Sequence, residues 1–337
     1  MPRILTEITE IVTGLGMTGI GDLATALATR PRELQNVRPC HWDRIEGAFA
    51  TGEHAAAFEA AWANGRSFLE SPQGLRGRAP LLIEWKGPHH QPGYDALPAD
   101  LRVDHVYLVS CKYQSKILAN SSPANLFLRR LADRTERADS SSWYASSAPE
   151  EFHHFYSCVR RFVGLEMLPA RHQELTAAQI ARIRDTCGRA WPRALLPVWR
   201  ELSGTVAVRS ADLWRQQMTT DARKEEMLWR LLRLGAAPYF VLGSSPEGPL
   251  QLRIGTPWDW RQSFCLKELC VKGVPAGQPR VTWTATLGDR ATCIDREVTG
   301  HVEVRWAHGR FSTVEAKIYL DTPHADVPGY FQLTDEA

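Results

Sequence analysis

No run of apolar residues approaches the ~20 that a helix needs to cross a bilayer, so no membrane span is expected in the 337 residues. The opening MPRILTEITEIV carries Glu7 and Glu10 and lacks the apolar core of a secretory signal. Strong net charge is missing too: 40 Lys and Arg stand against 38 Asp and Glu, for +2 overall. No global field therefore draws the chain to a polyanion, and any such attraction must come from a local patch. Seven cysteines (Cys40, Cys111, Cys158, Cys187, Cys265, Cys270, Cys293) form no CxxC pair and no Cys/His spacing suited to zinc. An odd, scattered set reads as free thiols in a reducing compartment, and a cytoplasmic location is expected. There is no GxSxG, so a small-molecule hydrolase built on a Glu with His89 and His90 would lack a nucleophile motif. Lysine is scarce, with seven against 33 arginines.

Three of those seven lysines, Lys86, Lys112 and Lys116, fall within the single stretch Pro80–Lys116. Lysine is a compact, titratable charge that arginine does not replace as a base or water-orienting group. The stretch reads as two β-strands, Leu81–Lys86 and Arg102–Tyr113, joined by a loop rich in Pro, Gly and His. Side chains alternate faces along a strand. Glu84 and Lys86 therefore share one face, and Asp104, Ser110 and Lys112 share one face of the partner. Two carboxylates brought close need a shared proton or a cation. Hard oxygen donors suit Mg²⁺ or Mn²⁺, and with a lysine beside them they equip a site for metal-assisted phosphodiester hydrolysis. Register decides whether the groups meet. With Lys86 opposite Arg102, Glu84 falls opposite Asp104 at ~5 Å between Cβ atoms, and Lys86 completes the site. In that register Lys112 stands roughly 26 Å along the strand from Asp104. A second register makes Glu84 face Ser110 and Lys112 and leaves Asp104 outside; the first is preferred.

A carboxylate on one strand and the acidic-x-Lys tripeptide Glu84-Trp85-Lys86 on its neighbour resemble the PD-(D/E)xK nuclease superfamily, over residues 41–135. The acid expected before the tripeptide is missing, since Asp104 follows it. Read the other way, Pro98-Ala99-Asp100 or Asp104 precedes Ser110-Cys111-Lys112, with Ser110 where an acid belongs. The resemblance implies a restriction-endonuclease-like α/β core, a Mg²⁺ or Mn²⁺ cofactor, and cleavage of nucleic acid, DNA more often than RNA. On it, Glu84 and Asp104 would bind the metal, Lys86 would position the attacking water, and Lys112 is the second-choice lysine. A glutamate from the helix before the core strands serves as a further ligand in several such nucleases, and Glu59 is the candidate. Duplex DNA is the expected partner, in restriction or antiviral defence, with a homodimer or a multi-subunit assembly allowed. The alternative is a non-catalytic interaction module that keeps the nuclease-like sheet, as Ser110 and the near-zero net charge would suit.

Arg76 and Arg78 precede the first strand and could hold phosphate. After Lys116, Ser122 caps a helix with Pro123 at its first position. Arg129, Arg130, Arg134 and Arg137 project from that helix as a candidate phosphate-tracking face.

The rest of the chain is read for organisation. Residues 3–13 and 20–29 suggest short helices around Gly14-Leu15-Gly16-Met17-Thr18-Gly19, a GxGxxG pattern without the strand a dinucleotide loop requires, hence a helix–helix turn. Residues 41–69 are helical with a break near Gly52, and Ala138–Ser147 is a linker. A helical block follows at 149–163, 176–202 and 210–234, with Trp191, Trp199, Trp214 and Trp229 on its core face. From Pro238 the period switches to two and strands run to Leu320. That region holds a rival constellation, Asp295 before Glu315-Ala316-Lys317, with Glu297, Glu303 and Asp321 nearby. The expected class is α+β: an N-terminal helical segment (1–40), a nuclease-like core (41–137), a helical insertion (138–236) and a C-terminal antiparallel β region (237–337).

Overall fold

The computed structural model describes residues 3–87, 99–113, 117–128, 143–188, 190–245, 248–307 and 309–333. In chain order the strands are β1 (Leu34–Gln35), β2 (Ile83–Trp85), β3 (Leu101–Val103), β4 (Tyr107–Tyr113), β5 (Ile117–Ser121), β6 (Tyr239–Ser245), β7 (Gly248–Ile254), β8 (Phe264–Ala276), β9 (Gln278–Asp289), β10 (Asp295–Trp306), β11 (Val314–Leu320) and β12 (Tyr330–Gln332). The architecture is mixed α/β, with one mixed sheet and one antiparallel sheet. Two compact units divide the chain. One is assembled from residues 1–116, 233–263 and 323–337, the other from 117–232 and 264–322. Where the sequence reading lays four blocks end to end, each unit draws on separated stretches.

The first unit is built on a helix over residues 3–16. It is α-helical over Arg3–Glu7 and Thr13–Gly16, with a π-helical turn, Ile8–Val12, between them. Ile8, Ile11, Val12 and Leu15 are fully buried. The helix crosses Ala55–Glu70 at two glycines. A Cβ on Gly65 would stand 2.1 Å from the Thr13 carbonyl oxygen, and one on Gly16 would stand 2.5 Å from that of Trp62. The glycines read as a helix–helix turn thus correct to a helix–helix crossing: Gly14 and Gly16 lie inside the helix, and only Gly19 is a turn residue, with φ 80°.

The sheet of this unit has the order β1-β2-β3-β4-β6-β7-β12. β2, β3 and β4 form an antiparallel meander, and β6 lies parallel beside β4. Ile83 and Trp85, Leu101 and Val103, Val109 and Cys111, and Phe240 and Leu242 share one core with the helices. Here the expected strand Arg102–Tyr113 proves to be a hairpin. Asp104 and His105 both take positive φ, 48° and 59°, and the Val106 N–H donates to the Val103 carbonyl at 3.0 Å. Two consecutive left-handed residues make a type I′ turn, which matches strand twist and tolerates Asp. β6 and β7, expected in the C-terminal β region, belong to this sheet.

The second unit carries the antiparallel sheet β5-β11-β10-β9-β8. β9 alternates cleanly, with Val281, Trp283, Ala285 and Leu287 buried. Helix Leu196–Gln217 packs on β8 so closely that a Cβ on Gly273 would stand 2.5 Å from the Ala207 carbonyl oxygen. Trp199 and Trp214 are buried, as the helical periodicity implies. Ser122 accepts from the Asn125 N–H at the start of helix Pro123–Phe127, so the expected cap is present. No helix among the described residues is long and apolar enough to cross a membrane.

Candidate active site

Register separates the groups that the sequence reading paired. Glu84 lies opposite Arg102, and Ile83 opposite Val103, so Asp104 falls beyond the paired residues. The Glu84 carboxylate accepts from Arg102 Nε at 2.6 Å and from Nη2 at 2.9 Å, and His105 Nδ1 is 3.2 Å away. This two-pronged ion pair occupies both oxygens. Asp104 Oδ1 accepts from the Leu81 and Leu82 N–H groups at 2.8 and 2.9 Å, which fastens the hairpin turn to the strand start. Lys86 stands just past β2, and its N–H donates to the Asp100 carbonyl at 2.9 Å. Glu59 is exposed on helix Ala55–Glu70. Arg76 and Arg78 are exposed, and Arg76 Nε donates to the Pro72 carbonyl. Lys116, Arg129, Arg130, Arg134 and Arg137, with His89 and His90, lie outside the described residues.

What the fold gathers instead is Glu10, Asp100 and Lys112. Asp100 precedes β3, and its N–H donates to the Val109 carbonyl at 2.8 Å, prolonging the ladder to β4. Its Oδ2 accepts from the Cys111 N–H at 2.7 Å and the Ser110 hydroxyl at 3.3 Å. The serine standing in the acid's place therefore orients a carboxylate. Lys112 follows on β4, with its backbone against β6 at Gly243. A Cβ there would stand 2.1 Å from the Lys112 carbonyl oxygen and 2.8 Å from its Cβ.

Glu10 projects from the π-helical turn, and Trp85 Nε1 donates to its Oε2 at 2.6 Å. Trp85 is 1 % exposed and meets His41 edge-on at 4.8 Å, so the donor is fixed by packing. Single π turns inside α-helices occur often at functional sites. Glu7, one turn back, pairs with Arg44 Nε at 2.9 Å.

Electrostatics ties these groups into one set. Burial pushes the Glu10 carboxyl up to about 8; the Asp100 charge adds to the rise, and the Trp85 hydrogen bond and Lys112 oppose it. Burial lowers the pKa of Lys112, and Arg233 lowers it further against the pull of Asp100, Cys111 and Glu10. Burial raises the Cys111 thiol well above its ordinary value, with Asp100 and Glu10 adding, so this sulfur stays a neutral thiol and no nucleophile. A carboxyl held protonated beside a second carboxylate is a place where a divalent cation can replace the proton. Among the described residues no three His, Cys, Asp or Glu side chains gather as a metal cluster. The donor set here is thus two carboxylates, which suits a hard cation that keeps waters and substrate oxygens.

Glu10 entered the sequence reading only as a mark against a signal peptide. Its readable signal was a carboxylate set among Ile8, Ile11 and Val12. Asp100 and Lys112 stood in the reversed motif. The rival constellation of the second unit is tied up in ion pairs and a histidine–carboxylate contact. Lys267 meets Asp295 at 2.5 Å, Lys317 meets Glu315 at 3.4 Å, Arg280 meets Glu303 at 2.7 Å, and His301 meets Asp321 at 2.8 Å. Glu297 is exposed on β10. No family model matches the chain, and no curated protein or solved structure matches it either.

Proposed function

We propose that the chain is a metal-dependent phosphodiesterase acting on nucleic acid, with duplex DNA as substrate, and that Glu10, Asp100 and Lys112 carry the activity. The observation behind this reading is the juxtaposition of two carboxylates, each held by a hydrogen-bond donor of its own, and a half-buried lysine that feels both charges. It keeps the resemblance to PD-(D/E)xK nucleases through Pro98-Ala99-Asp100 and Ser110-Cys111-Lys112, and moves the missing acid from position 110 to Glu10 on a helix. Glu10 and Asp100 would hold Mg²⁺ or Mn²⁺. Such an ion, when bound, supplies Lewis-acid stabilisation of charge on a phosphoryl oxygen. Trp85 and the Cys111 N–H keep the two carboxylates aimed. Lys112, its ammonium disfavoured by burial, orients a water and accepts its proton at Nζ.

A second reading, a non-catalytic binding module on the same sheet, is favoured by Ser110, because the tripeptide lacks its own acid. Incubation with plasmid and short duplexes in Mg²⁺, Mn²⁺ or EDTA separates the two. Cleavage that needs a divalent cation and falls at least ~100-fold in Asp100→Asn, Glu10→Gln and Lys112→Ala supports the enzyme. Glu84→Gln and Lys317→Ala are expected to keep it. No cleavage under any ion, or cleavage that survives Lys112→Ala, overturns the assignment.

A further inference from the structure

The second unit carries a cleft of about 350 Å³ whose described lining comes from that unit alone. One wall is helix Pro149–Val163, which presents Phe152, His153 and Tyr156. The other is the loop Ala170-Arg171-His172-Gln173. Bonds within the protein hold this loop in place. The Tyr156 hydroxyl donates to the Pro169 carbonyl at 2.9 Å, Arg160 Nε donates to that of Leu168 at 3.3 Å, and Gln179 Nε2 to that of Met167 at 3.3 Å. The His172 ring meets Phe152 edge-on, with centroids 4.6 Å apart. A cleft formed in advance loses little ordering entropy when a ligand enters.

Its two sides differ in chemistry. Ala145, Pro149 and Phe152 supply an apolar lining. Facing them are His153, Arg171 and Gln173, all exposed, and the half-buried His172. None of these four side chains makes a hydrogen bond or ion pair with another described residue, so their donors and acceptors converge on the cleft unused. Burial lowers the pKa of His172, and the neutral imidazole offers one donor and one acceptor. The Arg171 guanidinium suits the two oxygens of a carboxylate or phosphate. Apolar walls with a few convergent polar groups are the pattern of small-molecule sites, and this volume lies near the lower end of their range, enough for one ring system. Imidazole and phenyl rings at the wall favour an aromatic guest. We infer that the cleft binds a small aromatic anion, a ring bearing phosphate or carboxylate, with the anionic group on Arg171 and the ring against His172 and the apolar lining. This site makes no use of Glu10, Asp100 or Lys112, and the hydrolase reading stands or falls without it.

Calorimetric titration of the full chain in EDTA at neutral pH decides the matter. The probes are AMP, phenyl phosphate and phenylacetate, with benzyl alcohol and inorganic phosphate as the separate halves. One saturable site is expected for at least one aromatic anion, about tenfold tighter or more than for either half. Arg171→Gln removes a charge-assisted contact from an exposed position and should weaken binding about ten- to a hundredfold. His172→Phe keeps a ring against Phe152 but loses the hydrogen bonds, and should weaken it about two- to tenfold. Arg182→Gln, at an exposed arginine of helix Ala177–Cys187 that does not line the cleft, should leave the affinity unchanged. Phenyl phosphate above phenylacetate identifies a phosphate ligand, the reverse a carboxylate, and AMP above both a nucleotide; each supports the site. No saturable binding of any aromatic anion at millimolar concentration overturns it. So does inorganic phosphate binding as tightly as phenyl phosphate, and so does an affinity that survives both Arg171→Gln and His172→Phe or falls equally in Arg182→Gln.

Discussion

Glu10 illustrates how much a single carboxyl can owe to its surroundings. An ordinary glutamate titrates near 4.5, and burial followed by the Asp100 charge moves this one to about 8. The folded state therefore holds its proton more tightly than the unfolded chain does. The stability this contributes is complete below 4.5 and is lost as pH climbs through 8, on the order of 1.4 kcal/mol for every pH unit separating those two values. Glutamine keeps the acceptor for Trp85 Nε1 and cannot ionise. In metal-free buffer, Glu10→Gln should match the wild-type chain in urea unfolding near pH 4.5 and exceed it by a few kcal/mol at pH 8. A constant difference across that range would show that Glu10 is not forced to lose its proton in a buried place. Little of this was legible in the sequence. The two acids and the lysine lie at positions 10, 100 and 112, and only the last two share a motif. The chemistry of the stretch was readable, but its register was not. One type I′ turn at Asp104-His105 took Asp104 out of the strand and gave Glu84 to Arg102.

Elements meet here through missing side chains as much as through packed ones. The 3–16 helix can carry Glu10 over Trp85 because Gly16 and Gly65 let two helix backbones touch. Gly65→Ala puts a methyl 2.1 Å from the Thr13 carbonyl oxygen, a backbone atom that cannot swing aside. The substitution should cost on the order of 1–3 kcal/mol or more. Gly47 is the internal control: it sits exposed in helix Pro39–Thr51 with nothing within 4 Å of a Cβ. Gly47→Ala should therefore stabilise by roughly 0.5–1 kcal/mol through helix propensity alone. Thermal melts of both variants decide the matter, and equal shifts of the same sign would mean the crossing is loose. If cleavage falls with Gly65→Ala at temperatures where the variant stays folded, the crossing also sets the position of Glu10. The helices themselves were readable from periodicity, as was the break at Gly52, whose φ is 69°. The crossing was not, because a glycine pattern in one helix says nothing about the partner that requires it.

At the scale of the whole molecule the first unit is completed by chain that arrives more than a hundred residues later. β4 contains Lys112, and its parallel neighbour β6 comes from Tyr239–Ser245. The period-two pattern beyond Pro238 made β6 to β11 visible as strands, but alternation records only which face is buried, never which sheet a strand joins. A parallel neighbour must come by a long crossover, and here residues 117–232 intervene, with their own core. The consequence is testable by truncation. A chain ending at Lys116 keeps the 3–16 helix, the Gly16/Gly65 crossing and the β2-β3-β4 meander. It loses Phe240, Leu242 and Leu333 from a core they share with Val109 and Cys111, and leaves β4 with an unpaired edge. Three side chains of this kind withdrawn from a core cost several kcal/mol, comparable with the whole stability of a domain. The truncated chain should show helical circular dichroism without a cooperative urea transition, and should bind an apolar dye that the full chain does not. A sigmoidal transition with full-size slope would show that the N-terminal third folds alone, and that Lys112 is seated without Gly243.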